Sequence, residues 1–105
     1  MITSGEGKYK VFLKENKLDD DLVYLLGGGQ KSHVGGVVIC EPGKKTQVIK
    51  LEGHYDFMVL QPIAEAAFKK YKKKVVVIGG IHIDNATKDE IKIIVNNCKE
   101  LEKCI

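Results

Sequence analysis

The chain has 105 residues, of which 44% are hydrophobic and 30% charged, a composition that is typical of a folded globular domain and excludes a disordered chain. Its 17 lysine or arginine residues exceed its 14 acidic residues by a net charge of +3, an excess too small to indicate a nucleic-acid-binding protein. We expect residues 1–105 to form a single domain around one core.

The sequence also bears on location. No apolar run approaches the roughly 20 residues of a membrane span, and the first ten residues, "MITSGEGKYK", lack the apolar centre of a signal peptide. The three cysteines, Cys40, Cys98 and Cys104, are odd in number and show no C-x-x-C spacing, which indicates reduced thiols rather than a disulfide framework. We therefore expect a cytoplasmic protein that does not enter the membrane.

The first half of the chain is predicted to consist of strands. Tyr9, Val11 and Leu13 alternate with polar residues, which is the period of a strand with one buried face. Alternating or short apolar runs separated by polar turns predict four strands in all, at residues 8–15, 22–26, 36–40 and 46–51. Because these strands follow one another closely, we predict an antiparallel meander.

The second half adds two helices and a strand. Residues 57–71 carry a helical apolar stripe, and we place the helix start near Pro62 because proline is unfavourable inside a helix. The run "KVVVIGG" predicts a buried strand. Thr87 and Glu90 form a capping box that opens the last helix. Its core-facing stripe comprises Ile91, Ile94, Val95, Cys98 and Leu101. The order ββββαβα predicts an α+β fold, a mainly antiparallel sheet with two helices packed on one face.

Glycine and histidine occur together at three places. The stretch "GGQKSHVGG", residues 28–36, contains four glycines and His33, and the two other histidines, His54 and His82, each lie within two residues of a glycine. All three histidines fall near the ends of predicted strands. Glycine at such a point lets a ligand approach the backbone closely, so we predict a binding site built from strand ends.

The residues alone leave the ligand open between three hypotheses. Three neutral imidazoles could hold a zinc ion with one open position, with Asp56 and Asp84 as further ligands or as groups that orient an imidazole. Alternatively, the backbone amides of residues 27–29 could form a nest for phosphate, with Lys31 and Ser32 as additional donors. In the third hypothesis the stretch is a glycine-rich hairpin that binds nothing.

Catalytic patterns are weak. Ser32 and His33 are adjacent, and adjacent residues of a strand point to opposite faces, so they do not form a nucleophile and base pair. Cys40 has no base near it in sequence. The residues therefore assign no nucleophile and no general base.

Three motifs resemble those of a known family. "GGQKSHVG", the pair Gly53–His54 before a helix, and "GIHIDNATKDEI" at the opening of the last helix resemble the prenylated flavin chaperone-like family, also called LpdD-like. The resemblance extends from about Leu22 to Leu101. It implies a small accessory subunit beside a UbiX-like flavin prenyltransferase and a UbiD-like decarboxylase of hydroxyarylic acids, which holds or hands over prenylated FMN or FMN. Whether the chain is also an enzyme stays open, and a non-catalytic role is the expectation.

The resemblance and the residues together define a candidate site. The residues expected to bind the cofactor are Gly28, Gly29, Lys31, Ser32, His33, Gly35, His54, Gly80 and His82. The alternative function is a small metal-binding protein or metalloenzyme, in which His33, His54 and His82 hold zinc. We also expect a homo-oligomer, because a small sheet domain leaves strand edges and apolar surface to cover.

Overall fold

The computed structural model describes residues 1–51 and 56–105. The strands are β1 (Ile2–Ser4), β2 (Val11–Leu18), β3 (Asp21–Gly28), β4 (Lys31–Cys40), β5 (Gln47–Lys50) and β6 (Val75–His82), and the helices are α1 (Phe57–Tyr71) and α2 (Lys88–Lys103). A short 3-10 turn, Gly7–Tyr9, connects β1 to β2. The predicted α+β class, with a mainly antiparallel sheet and two helices, is confirmed. Strand β1 was not predicted, because three residues are too few to show a period.

The sheet has the strand order β1-β2-β3-β6-β4-β5. Strand β6 runs parallel to β3 and antiparallel to β4, so it separates two strands that are joined by only two residues. The predicted meander is therefore wrong at this point. The run of β-branched residues in β6 is apolar on both sides, which suits a central strand with a neighbour on each edge. The β3–β4 connection crosses the end of β6, where the amide of Gln30 donates to the carbonyl of His82 at 2.8 Å.

Helix α1 begins at Phe57, five residues before the predicted start, and Pro62 lies inside it. The first four amides of a helix need no partner within the helix, so a proline in the sixth position removes only the bond to the carbonyl of Met58. Leu60 and Ile63, on either side of the proline, are 0% and 1% exposed. We infer that their burial offsets the lost hydrogen bond.

Both helices pack on the same face of the sheet. Helix α1 lies against β4, β5 and β6, and α2 lies against α1, β1 and β2. The buried hydrophobic side chains form one cluster: Val11, Leu13, Leu22, Tyr24, Leu26, Val38, Cys40, Leu60, Ile63, Ala64, Ala67, Val75, Val77, Ile83, Ile94, Cys98 and Leu101. No helix in the described part of the chain is long and apolar enough to cross a membrane.

The start of α2 is tied to the N-terminal segment through Glu90. The predicted capping box is present, with Thr87 and Glu90 each accepting the other's backbone amide at 3.1 Å. The same carboxylate accepts a hydrogen bond from the hydroxyl of Tyr9 at 3.0 Å and pairs with the ammonium of Lys8 at 2.8 Å. The hydrogen bond from Lys8, followed by those from Thr87 and Tyr9, lowers the pKa of Glu90 to about 2.

This lowered pKa makes the contribution of Glu90 dependent on pH. A carboxylate of lowered pKa stabilises the fold fully above its unfolded pKa, about 4.3, and loses that effect as the pH falls towards 2. We therefore expect Glu90→Gln to be less stable than the wild type at pH 7, with the difference shrinking between pH 4.5 and pH 2 as judged by urea unfolding.

Glu100→Gln is the matched control for this experiment. Glu100 lies on the same helix and pairs with Lys103 at 3.1 Å on an exposed surface, where ion pairs contribute little. A loss of stability in Glu90→Gln that stays constant from pH 7 to pH 2 would contradict the assignment.

Candidate functional site

The glycine-rich stretch contains a β-bulge that sets the position of the site. Between the cross-strand pairs Ser32–Ile81 and Gly36–Gly79, β4 has three residues, 33–35, where β6 has one. A bulge bends a strand and re-aims the side chains that it carries. Residues 33–35 include His33, so this histidine lies within strand β4 and not in a loop.

Two glycines leave room for the side chains above the bulge. A methyl group added at Gly80 would lie 2.9 Å from a carboxylate oxygen of Asp56 and 3.0 Å from Cε1 of His33. One added at Gly35 would collide with the same carboxylate and would lie 2.8 Å from the same ring carbon. Glycine at positions 35 and 80 therefore leaves the space that the imidazole of His33 and the carboxylate of Asp56 occupy.

His33 and Asp56 form the inner part of the site. Nε2 of His33 lies 3.5 Å from Oδ2 of Asp56, and Oδ1 of Asp56 accepts the backbone amide of Ile81 at 3.0 Å. The two side chains are 23% and 11% exposed. The carboxylate of Asp56, which precedes α1, is thus held by the backbone at the end of β6. In this position it orients the imidazole of His33 on β4.

His82 forms the outer part of the site. It is the last residue of β6, and its Nε2 lies 2.7 Å from Oδ1 of Asp84. The backbone amide of Asp84 donates to the side-chain oxygen of Gln30 at 2.6 Å, which ties this turn to the β3–β4 connection. The rings of His33 and His82 meet edge to face with their centroids 6.1 Å apart. The structure therefore brings two of the three predicted histidines together.

A cavity of about 260 Å³ opens beside the two histidines. It lies between the start of α1, the first half of α2 and the end of β6. Its polar lining residues are His33, Asp56 and His82, and its apolar lining residues are Met58, Val59, Ile81, Ile83, Ala86, Ile91, Ile94 and Val95. The cavity is smaller than the 300–1,000 Å³ of most small-molecule sites, so it would enclose only part of a large ligand.

The apolar wall of this cavity was not predicted. The stripe on α2 was assigned to the core, but Ile91 is 52% exposed and lies at the rim of the cavity. Met58, at the start of α1, is 65% exposed on the opposite rim. The sequence could not separate the two roles, because side chains that line a cavity and side chains that fill a core show the same apolar pattern along a helix.

Two of the three backbone amides in the predicted phosphate nest, residues 27–29, are bonded within the chain. The amide of Gly28 donates to Oγ of Ser32 at 2.9 Å, and the amide of Gly29 donates to the carbonyl of Lys10 at 3.0 Å. Both glycines have positive φ, 136° and 75°, which the strand crossing over β6 requires. Lys31 is exposed and pairs in register with His82, which places its side chain next to the site.

His54 lies outside the described residues. Among residues 1–51 and 56–105, no group of three or more histidine, cysteine or acidic side chains is arranged to hold a metal ion. The three-histidine zinc hypothesis requires His54 and so stays a prediction.

Three comparisons relate the chain to known proteins. The family model described as the prenylated flavin chaperone LpdD-like domain matches residues 5–105. Among curated proteins, none matches the chain. Among solved structures, a chain from the "Crystal Structure of a Novel Chaperone Complex for Yeast 20S Proteasome Assembly" is similar, with a TM-score of 0.57 and 13% identity over 98% of this chain and 94% of that chain. At this identity the likeness shows a shared fold alone.

Proposed function

Because the chain belongs to the prenylated flavin chaperone LpdD-like family, we propose that it is a non-catalytic accessory protein that binds prenylated FMN, or FMN itself, and delivers it to a UbiD-type decarboxylase of hydroxyarylic acids. A UbiX-like prenyltransferase would supply the cofactor. The observation that carries the proposal is the cavity with two histidines at one end and aliphatic walls elsewhere.

The two parts of the cavity match the two parts of a prenylated flavin. The aliphatic side chains would take the prenyl-derived ring and the apolar edge of the flavin, whose burial drives binding. His33 and His82 would form hydrogen bonds with the polar edge of the ring system. Because about 260 Å³ is too small for the whole nucleotide, the ribityl phosphate would extend towards solvent, and the ammonium of Lys31 would attract it.

The same geometry suits a protein that releases its cargo. The rim residues Met58 and Ile91 are 65% and 52% exposed, so the cavity is open to solvent on the helix side. A dissociation constant near 1 μM, about −8 kcal/mol, would permit both capture and transfer.

The rim of the cavity offers a matched pair of variants. Ile91→Gln replaces an apolar side chain that lines the cavity, and we expect it to weaken the binding of reduced prenylated FMN about fivefold, the equivalent of about 1 kcal/mol of lost apolar contact. Ile93→Gln is the control, because Ile93 lies on the same helix, is 39% exposed and does not line the cavity. Anaerobic titration calorimetry measures both affinities. Equal weakening in the two variants would contradict the assignment of the cavity.

Delivery is tested with a cofactor-free UbiD-type decarboxylase and a limiting amount of reduced prenylated FMN. We expect the wild type and Ile93→Gln to raise the rate at which decarboxylase activity appears, and Ile91→Gln to raise it less. No acceleration by the wild type would overturn delivery. Metal analysis of the untagged protein separates the alternative, since a stoichiometric metal that is lost in His33→Ala would favour the zinc hypothesis.

A further inference from the structure

The sheet has a second apolar face, on the side opposite the helices. Residues that alternate with the core positions along each strand must point away from the helices, because successive side chains of a strand point to opposite faces. On five adjacent strands eight of these residues are apolar: Phe12, Val23, Leu25, Val37, Ile39, Ile49, Val76 and Ile78. We call these eight side chains the outer face.

The outer face is continuous. The strand register aligns seven of the eight in two rows across the sheet, Val23–Val76–Ile39 and Leu25–Ile78–Val37–Ile49, and Phe12 lies beside them on β2. The centre of both rows is free of charge, and charged or polar side chains stand at the margins, where Lys14 pairs with Leu25 from β2 and Gln47 pairs with Ile39 from β5. An apolar centre with a polar rim is the composition of a protein interface.

No described element covers this face. Both helices pack on the other side of the sheet, and within residues 1–51 and 56–105 the outer face has no second layer. Leu25 is 40% exposed and Ile49 47%, although each has apolar neighbours in its row. Contiguous apolar patches of this kind are rare on monomeric proteins and mark sites of association.

We propose that the outer face binds the outer face of a second copy of this chain, giving a twofold-symmetric homodimer in which the two sheets pack as a sandwich. A twofold axis brings the same patch of both copies together, so it requires only that the patch complement itself. Two apolar sheet faces do so, because twisted sheets pack face to face at about 30° with interdigitating side chains.

The outer face extends over most of the width of the sheet. A stable interface of standard size buries about 800 Å² on each partner. The eight side chains span five of the six strands, about 20 Å across at the usual strand spacing, so an interface of that size would also cover the polar margin of the sheet. The uncharged centre favours a permanent homodimer over a transient partner, because permanent interfaces are the more apolar class.

The dimer would leave the histidine cavity accessible. The cavity is lined by residues of α1, α2 and the end of β6, so it lies on the helix side of the sheet. In the sandwich the two cavities would face outward in opposite directions. Dimerisation and flavin binding are therefore separable, and this inference does not rest on the proposed function.

Analytical ultracentrifugation of the wild type at 10–100 μM is the test, and we expect a species of twice the 11.7 kDa chain mass. Leu25→Glu puts a carboxylate in the centre of the interface, yet within one chain it lies opposite Lys14, which provides a cross-strand partner. We expect this variant to be a folded monomer. Ile93→Lys is the control, since Ile93 on α2 is 39% exposed and lies outside the outer face, and it should stay dimeric.

Circular dichroism of each variant establishes that it is folded, and Ile49→Glu on the edge strand β5 is a second disrupting variant should Leu25→Glu fail to fold. A monomeric wild type would overturn the proposal, as would a folded Leu25→Glu or Ile49→Glu that remains dimeric. A monomeric wild type that binds a UbiD-type decarboxylase, and loses that binding in Leu25→Glu, would assign the outer face to that enzyme instead.

Discussion

Replacing Gly79 by alanine is expected to lower the free energy of unfolding by about 3 kcal/mol. Gly79 has a φ of 143°, in a region that residues with a side chain rarely adopt. A methyl group added there would also collide with the carbonyl oxygen of Leu26 on the neighbouring strand. Because that atom belongs to the backbone of a central strand, no rotamer change can relieve the contact. Urea unfolding followed by circular dichroism measures the loss.

Gly43→Ala is the control that measures the cost of the positive φ alone, without a steric collision. Gly43 also has a positive φ, 75°, but a methyl group added there would meet nothing within 4 Å. We expect Gly43→Ala to cost about 1 kcal/mol, the usual price of a left-handed conformation for alanine. If Gly79→Ala costs no more than Gly43→Ala, β6 does not pack closely against β3 at this position.

Removing both imidazoles of the site, in His33→Ala combined with His82→Ala, is expected to weaken the binding of reduced prenylated FMN by at least about 30-fold. Each imidazole would supply one hydrogen bond, worth about 1 kcal/mol or somewhat more, and together they account for at least 2 kcal/mol. The two rings are in edge-to-face contact with their centroids 6.1 Å apart, so the double variant removes them as one unit. Anaerobic titration calorimetry gives the affinities.

Val34→Ala is the control for this double variant, because Val34 belongs to the same bulge, is 54% exposed and does not line the cavity. It should bind the cofactor as the wild type does. A double variant that folds normally and keeps the affinity of the wild type would contradict the role of the two histidines.

The sequence was sufficient to predict the class of the fold but not the order of its strands. The capping box at Thr87 is a local signal, and α2 forms where it lies, whereas β2 begins only at Val11 because Tyr9, the first residue of the predicted alternation, lies in the 3-10 turn. The insertion of β6 between β3 and β4 is a contact between distant segments, and the glycine-rich connection has the composition of an ordinary hairpin. The start of α1 differs from the prediction because the local signal is misleading there. Pro62 disfavours a helix interior, but the burial of Leu60 and Ile63 outweighs that preference.

The candidate site was predictable only in part. The glycines beside His33 and His82 indicated strand ends that meet, and the structure places the two rings 6.1 Å apart. Asp56 is two residues from His54 in sequence, yet in the structure it contacts His33, because the bulge of β4 brings that ring over the start of α1. Nothing local could reveal this contact, or that the amides of the glycine-rich turn are used within the chain.

The central claim, that the cavity beside His33 and His82 binds a prenylated flavin, is tested most directly by one anaerobic calorimetric titration. The untagged wild-type protein is titrated with reduced prenylated FMN and, in parallel, with reduced FMN. We predict saturable binding at one site per chain, tighter for the prenylated form because its additional apolar ring fills the aliphatic part of the cavity. Absence of binding for both flavins would contradict the claim.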